Sequence, residues 1–434
     1  MPSFFCKFCV CFKLKWQTVM VMKYFGTDGI RGKALEEITL ELAYRVGASL
    51  SEFKIPIVVG IDTRASSMPL AQALISGYKN DNYQFAGVIS TPALMYYSML
   101  KKCLGVMITA SHNLATDNGI KIFINGVKIS NDLALLIEDK MDKCAYIQDE
   151  EKPKLEINEE ILNLYYQFLD SIFIKPPFKV VFDAANGSTS EILRHYFPDD
   201  DLINYKPDGY NINLNAGSTS PYNLVNKVKT SNAKVGFAFD GDGDRLLAVS
   251  QNGNIYEGDM LLYFFAINLQ KEKELILDTV VTTEIINPGV IEGLMDKKIN
   301  IITTDVGDRN IYYALNSGYS LGGESSGHII NKKYLPFGDG ILNAFLIINI
   351  LLTKSEKLEN YFKGVNLYHK SEFKIPIEKF NDKIKNKINT LKSRTEAKLI
   401  LRKSGTEKIM RLYIYHRNRL VLEHIVRKIK KALK

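Results

Sequence analysis

Three apolar runs rich in β-branched and aromatic residues end in loops of small and polar residues: GVMITASHN at 105–113, KVVFDAANGS at 179–188 and VGFAFDGDGD at 235–244. Each run reads as a buried strand, and their recurrence along a chain with helical patterning between them predicts stacked α/β units. The loop after such a strand is where an α/β sheet places its ligands. A further β-branched strand is expected at 55–60 and a helix at 69–79. Asn125-Gly126 and Asn252-Gly253, each next to apolar runs, are hairpin signals. Some strands must therefore pair antiparallel, and the sheets should be mixed.

With 434 residues the chain is too long for one ordinary domain. At roughly 150 residues each, about three domains are expected, with four compact ones also compatible. The charged stretch 149–154 reads as a first linker, the hairpin after Val249 as a second boundary, and Lys363-Gly364 as a third. The expected organisation is an N-terminal extension at 1–21, α/β modules at 22–151, 152–252 and 253–363, and a smaller module at 364–434.

Composition excludes several classes. Apolar residues make up 46% and charged residues 24%, a balance typical of folded globular chains and not of disordered ones. The longest apolar runs, 260–268 and 341–352, fall well short of the roughly 20 residues a membrane span needs. The five cysteines form no disulfide framework, which fits a reduced cytoplasm. Residues 1–21 carry three Lys, no acid, and Cys6, Cys9 and Cys11 without a fourth zinc ligand nearby. Motif-bearing sequence begins at Met22, a candidate start. Residues 366–434 hold 20 Lys and Arg against 6 Asp and Glu. No nucleic-acid-binding motif accompanies that charge, so it reads as a solvated surface around a phosphate site.

The residues with chemistry sit in the strand-end loops. Asp240, Asp242 and Asp244 alternate with glycines that allow a sharp turn, so three carboxylates can converge on one hard cation such as Mg²⁺ or Ca²⁺. An EF-hand is excluded by Gln251 at the position of the bidentate Glu. Ser111 follows another strand and is a candidate nucleophile or a helix cap. His112 is a poor candidate to activate it, because neighbours on an extended chain point apart. Arg402, Ser404, Gly405 and Thr406, with Arg411 behind them, are the parts of a phosphate cradle or of a surface turn. The run from Gly322 to His328 offers a carboxylate, Glu324, and serine hydroxyls to sugar hydroxyls, and a tight turn explains its glycines equally well. Two Asp–Arg pairs, Asp28 with Arg31 and Asp62 with Arg64, are compatible with purely structural roles.

In this order the motifs resemble the α-D-phosphohexomutase family from about Met22 to the C-terminus. The resemblance implies three related α/β domains with mixed sheets plus a smaller C-terminal α+β domain around a central cleft. It also implies a phosphoserine at Ser111 and Mg²⁺ held by Asp240, Asp242, Asp244 and the serine phosphate. Lys121 takes the general acid/base position, Arg31 lies beside the phosphoserine, and Arg245 lies behind the metal loop. Glu324 and Ser326 match the sugar-reading loop, which His328 follows; Arg402, Ser404, Gly405, Thr406 and Arg411 match the loop for the substrate's other phosphate. The implied reaction runs through a 1,6-bisphosphate, also its activator, in a monomer or homodimer of the cytoplasm with a phosphosugar as partner and no nucleic acid or membrane. The opening FGTDGIRG, with TASHN and RKSGTE, is similar to the amino-sugar branch, which interconverts glucosamine 6-phosphate and glucosamine 1-phosphate; the glucose and mannose branches are the alternative. Leu114 and Lys408 stand where the family usually has Pro, Ile61 where it has a basic residue, and Ser325 where the amino-sugar branch commonly has Asn or Gln.

Overall fold

The computed structural model describes residues 22–26, 28–147, 153–403 and 408–433. The expected extension 1–21, most of the first linker, and Ser404, Gly405 and Thr406 lie outside the described residues. Among the described residues four sheets follow one another along the chain. The first has seven strands in the spatial order Phe25–Gly26, Gly29–Lys33, Asp117–Ile124, Leu104–Ile108, Ile57–Ile61 and Tyr83–Val88, with Val127–Lys128 pairing Asp117–Ile124. Ile57–Ile61 lies parallel to both neighbours, whereas Leu104–Ile108 and Asp117–Ile124 are antiparallel, so the sheet is mixed as expected. Asn125 and Gly126 take φ of 53° and 75°, the pair of left-handed residues that closes a two-residue hairpin. The expected helix at 69–79 is Ser67–Tyr78.

The second sheet has five strands, ordered Ile255–Tyr256, Leu246–Ser250, Val235–Phe239, Val180–Asp183 and Leu202–Ile203. Its Asn252-Gly253 signal lies in a longer connection, 251–254, between antiparallel strands. The third sheet orders Asn300–Thr304, Thr279–Thr283, Leu321–Gly323 and Ile329–Asn331. The fourth is a small antiparallel sheet of His369–Pro376, Ile409–His416 and Lys398–Lys403, packed against helices Asp382–Arg394 and Arg419–Leu433. The protein is thus three α/β domains with mixed sheets and a smaller C-terminal α+β domain.

The two longest apolar runs are helices, Gly258–Lys271 and Gly340–Lys354, buried on nearly every side. A helix apolar all round belongs inside a large core. Here it joins one continuous cluster that includes Val58 and Met95 of the first domain, Phe182 and Phe237 of the second, and Phe264 and Phe345 of the third. The C-terminal domain has its own cluster around Ile375, Leu412 and Ile425. Among the described residues no helix is long and apolar enough to cross a membrane.

Candidate active site

Docking of the first two domains, with helix Thr91–Lys101 against helix Glu160–Asp170, accompanies the meeting of the loops after Leu104–Ile108 and Val235–Phe239. The Ser111 hydroxyl donates to Asp240 Oδ2 at 2.6 Å, across 129 residues of sequence. Ser111 holds φ of 53°, a left-handed conformation a serine adopts only when its surroundings impose it. Three side chains do so. Arg64 Nη2 donates to the carbonyls of Ser111 and Asn113 at 3.2 and 2.6 Å, and Asn213 Nδ2, from the second domain, donates to the same two carbonyls at 2.8 Å each. The Ser111 amide donates to Thr109 Oγ1 at 2.9 Å. Asp62 pairs with Arg64 in complete burial. That Asp–Arg pair is structural, and the structure it serves is the Ser111 loop.

The same backbone twist corrects the expectation for His112. The two side chains do not point apart: Ser111 Oγ lies 3.4 Å from His112 Nδ1. The imidazole is nonetheless a weak base, because Arg245 beside it, burial and Arg31 push its pKa down to about 2. Ser111 gives its hydrogen bond to Asp240 instead.

Asp240, Asp242 and Asp244 are buried, and one carboxylate oxygen from each lies within 4.8 Å of the others. Gly243 takes φ of 77°, which lets the loop turn back on itself. Burial, followed by the neighbouring Asp244 and Asp242 charges, pushes Asp240 up to about 7. Asp242 Oδ1 and Asp244 Oδ1 are buried without a hydrogen bond. Oxygen donors alone, crowded carboxylates and two unsatisfied buried oxygens are what a hard divalent cation would satisfy. The three aspartates fit one.

Lys121 projects from the strand Asp117–Ile124 into this group, with Nζ 2.7 Å from Asp242 Oδ2, 3.0 Å from Asp244 Oδ2 and 3.2 Å from Asp28 Oδ2. Burial opposes its charge, but the three carboxylates hold it well above the usual lysine range, as an ammonium. Arg31 pairs with Asp28 and reaches the Ala110 carbonyl, beside Ser111. Arg245 sits with Nε 3.7 Å from Asp240 and 3.9 Å from Asp244.

From the third domain, the loop after Leu321–Gly323 closes over the second: the Leu246 amide donates to the Gly327 carbonyl at 3.0 Å. Glu324 Oε1 accepts from the Gly307 amide at 2.8 Å, and Ser326 Oγ is 3.4 Å from Glu324 Oε2. Ser325 is turned away from that pair and gives its hydroxyl to buried Asp259 at 2.7 Å. His328 is buried between Asp308, 3.3 Å from Nε2, and Asp244, 3.8 Å from Nδ1. Against burial, Asp308 and Asp244 hold its pKa up.

Comparison with known proteins decides the family. Models of the phosphoglucomutase/phosphomannomutase alpha/beta/alpha domains I, II and III match residues 22–147, 164–253 and 257–368. A phosphoglucosamine mutase of Limosilactobacillus reuteri is 37% identical, covering 91% of this chain and 94% of its own. The chain belongs to the α-D-phosphohexomutase family. The fold agrees with a phosphoglucomutase/phosphomannomutase family protein from Burkholderia thailandensis, with a TM-score of 0.76, 20% identity, and 96% and 98% of the two chains covered. It agrees also with an Aspergillus fumigatus N-acetylphosphoglucosamine mutase in complex with GlcNAc-6P and magnesium, with a TM-score of 0.64, 17% identity, and 95% and 96% covered.

Within this phosphohexomutase, the site assembles Ser111, Lys121, Arg31, Arg245, His328 and the three aspartates from three domains, with Glu324 and Ser326 at its edge. Arg402 and Arg411 belong to the separate C-terminal sheet, where they stand opposite each other in register; Arg411 also pairs with Glu372 at 2.9 Å. Sequence reasoning did not single out Lys128, Asp308, Thr91 or Asn213. Thr91 bonds Asp242 through its hydroxyl at 2.6 Å and its amide at 2.9 Å. No local motif marks these four, since most of their partners lie far along the chain, as Asp308 does from Lys128 and Asp242 from Thr91, although Asp308 also meets the nearer His328. The Asp-Ala-Ala-Asn-Gly-Ser loop, the second of the three strand ends, supports the loop of the three aspartates: the Ser188 amide donates to the Gly241 carbonyl at 2.9 Å.

Proposed function

We propose that this protein interconverts glucosamine 6-phosphate and glucosamine 1-phosphate through a phosphorylated Ser111 and a bound 1,6-bisphosphate. The observation that carries the reading is the Ser111 hydroxyl at 2.6 Å from Asp240, inside a buried triad of carboxylates and beside the Lys121 ammonium. In the forward half-reaction the P–O bond to Ser111 Oγ breaks as one to the free sugar hydroxyl oxygen forms. Lys121 supplies the proton that Ser111 Oγ takes up and recovers one from the sugar hydroxyl. The reverse transfer, from the other end of the sugar, restores phosphoserine. Arg31 and Arg245 spread positive charge around the moving phosphoryl group, where positioning and electrostatics account for most of the rate.

Asp240, Asp242, Asp244 and the serine phosphate would hold Mg²⁺, which when bound neutralises charge on the transferring group. Glu324, Ser326 and His328 would read the sugar. Arg402, Ser404, Gly405, Thr406 and Arg411 would hold the phosphate that does not move. The division into modules 22–151, 152–252, 253–363 and 364–434 belongs to the same reading, supported by the succession of sheets. The free thiols of Cys103 and Cys144 suit a reduced cytoplasm.

The test is turnover by the purified protein on glucosamine, glucose and mannose phosphates, with intact-mass measurement. Ser111→Ala should abolish turnover and remove a phosphate-sized mass increment; retained mutase activity defeats the assignment. Equal or better turnover of glucose or mannose phosphate defeats the amino-sugar half and favours the broad phosphoglucomutase/phosphomannomutase alternative. That alternative has one feature in its favour, Ser325, whose hydroxyl is spent on Asp259.

A further inference from the structure

Six buried or largely buried groups of alternating charge close into a ring. Lys121 lies 3.2 Å from Asp28, Asp28 pairs with Lys128, and Lys128 Nζ lies 2.5 Å from Asp308. Asp308 is 3.3 Å from His328, His328 is 3.8 Å from Asp244, and Asp244 returns to Lys121 at 3.0 Å. The first domain supplies Asp28, Lys121 and Lys128, the second Asp244, and the third Asp308 and His328. Lys128 comes from the two-residue strand that follows the Asn125-Gly126 turn, and Asp308 is the first residue of the helix Asp308–Leu315. Both side chains are 13% exposed.

We infer that Lys128 and Asp308 form a latch between the first and third domains that positions Lys121 and His328 for phosphoryl transfer, an inference that rests on the mutase reading. The physical reason is charge balance. Lys128 is shared by Asp28 and Asp308, and each of those carboxylates also faces one of the two working groups. Without Lys128, the Asp28 charge, still paired with Arg31, falls more heavily on Lys121 and draws it away from Asp242 and Asp244, and Asp308, having lost the ammonium beside it, draws His328 away from Asp244. Burial strengthens both pulls, because little water screens them. Lys128 touches neither the metal triad nor Ser111, so it is a positioning residue. A buried pair of this kind adds little net stability but is costly to break on one side only.

The experiment is a double-mutant cycle on the full-length enzyme. Lys128→Met and Asp308→Asn should each lower kcat at least tenfold while KM for glucosamine 6-phosphate stays within threefold. The double variant should be no worse than about threefold below the poorer single, since both act on one contact. Lys128→Arg should recover a substantial part of kcat. Hydrogen exchange, which needs no activity, should quicken at 308–315 in Lys128→Met while exchange in the C-terminal domain stays unchanged. If Lys128→Met does not fold, Asp308→Asn and Lys128→Arg carry the same comparison. A kcat within twofold of wild type in the single variants, losses that multiply in the double, or unchanged exchange at 308–315 each overturn the latch. Wild-type protein inactive on all three phosphosugars would overturn the mutase reading itself, and the exchange measurement would still report on the latch.

Discussion

At the scale of single residues, the site depends on a serine held in a backbone conformation it does not favour. Ser111 can face Asp240 only because its own carbonyl and that of Asn113 are gripped from two domains, by Arg64 and by Asn213. Left-handed φ at a non-glycine residue costs on the order of 1–3 kcal/mol and persists when the surroundings over-determine it. Asn213→Ala removes the grip from the second domain and leaves Arg64 in place. We expect kcat to fall between about tenfold and a hundredfold, equivalent to about 1.4–2.7 kcal/mol of transition-state stabilisation, with the melting temperature little changed; kinetics with a thermal melt check this. The Asp-Gly-Asp-Gly-Asp run was readable as a metal loop because spacing alone makes its carboxylates converge. The Ser111 loop was not readable, because nothing in Ala-Ser-His-Asn signals positive φ, and the rule that neighbours point apart assumes an extended chain.

At the scale of elements, close packing sets the tolerances. Helices Leu40–Ser51 and Ser67–Tyr78 cross where a Cβ on Gly47 would lie 1.8 Å from the Leu74 carbonyl oxygen, and one on Gly77 would lie 2.0 Å from that of Tyr44. Backbone atoms cannot step aside, so the helices must separate. Gly47→Ala gains about 1 kcal/mol of helix propensity but loses up to about 3 kcal/mol to overpacking. We expect a lower denaturation midpoint, measured by urea unfolding.

Asp183, at the end of the strand Val180–Asp183, gives a pH test. Burial pushes its carboxyl up to about 6, against hydrogen bonds from the Ala185 amide and the Asn204 side chain. Because the folded pKa exceeds the unfolded one, the folded state keeps its proton over a range where the unfolded chain has lost it. Stability therefore falls as pH rises from about 4 through about 6, by at most about 3 kcal/mol from this group. In Asp183→Asn that portion of the pH dependence should vanish, the two proteins diverging between pH 4 and 6 and running parallel above 7 in denaturation curves. The strand and the small-residue loop after it were legible from β-branching and composition. That the loop's task is to support Gly241 was not, since the Ser188 amide and hydroxyl reach that carbonyl across 53 residues of sequence.

At the scale of the molecule, one apolar cluster runs through the first three domains, with Val58, Phe182 and Phe345 in it, beside a second cluster of the first domain around Val46, Leu74 and Ile120, whereas the C-terminal domain has a separate one that the others do not enter. It is tied to the third domain by polar contacts: Tyr415 to the Ile285 carbonyl at 2.6 Å, Arg417 to Glu292 at 2.6 Å, and Asn287 to the Tyr368 carbonyl at 2.9 Å. Domains joined by small polar contacts move and melt more independently than those sharing a core. Calorimetry should resolve two transitions, a smaller one from residues 369–433 and a larger one from the rest, and Arg417→Ala should lower only the first. A single transition in which both regions lose structure together would contradict this.

The α/β class, the strand ends that carry chemistry, the carboxylate triad and the C-terminal basic loop were legible along the chain, because periodicity, turn residues and ligand spacing are local properties. The tertiary structure decided which carboxylate faces Ser111, how Lys121 is held among three aspartates, and the role of Lys128, Asp308, Thr91 and Asn213. Most of those pairings join residues of different domains and form only when the domains dock. Burial then fixes the charge states, and neither docking nor burial can be read from neighbours along the chain.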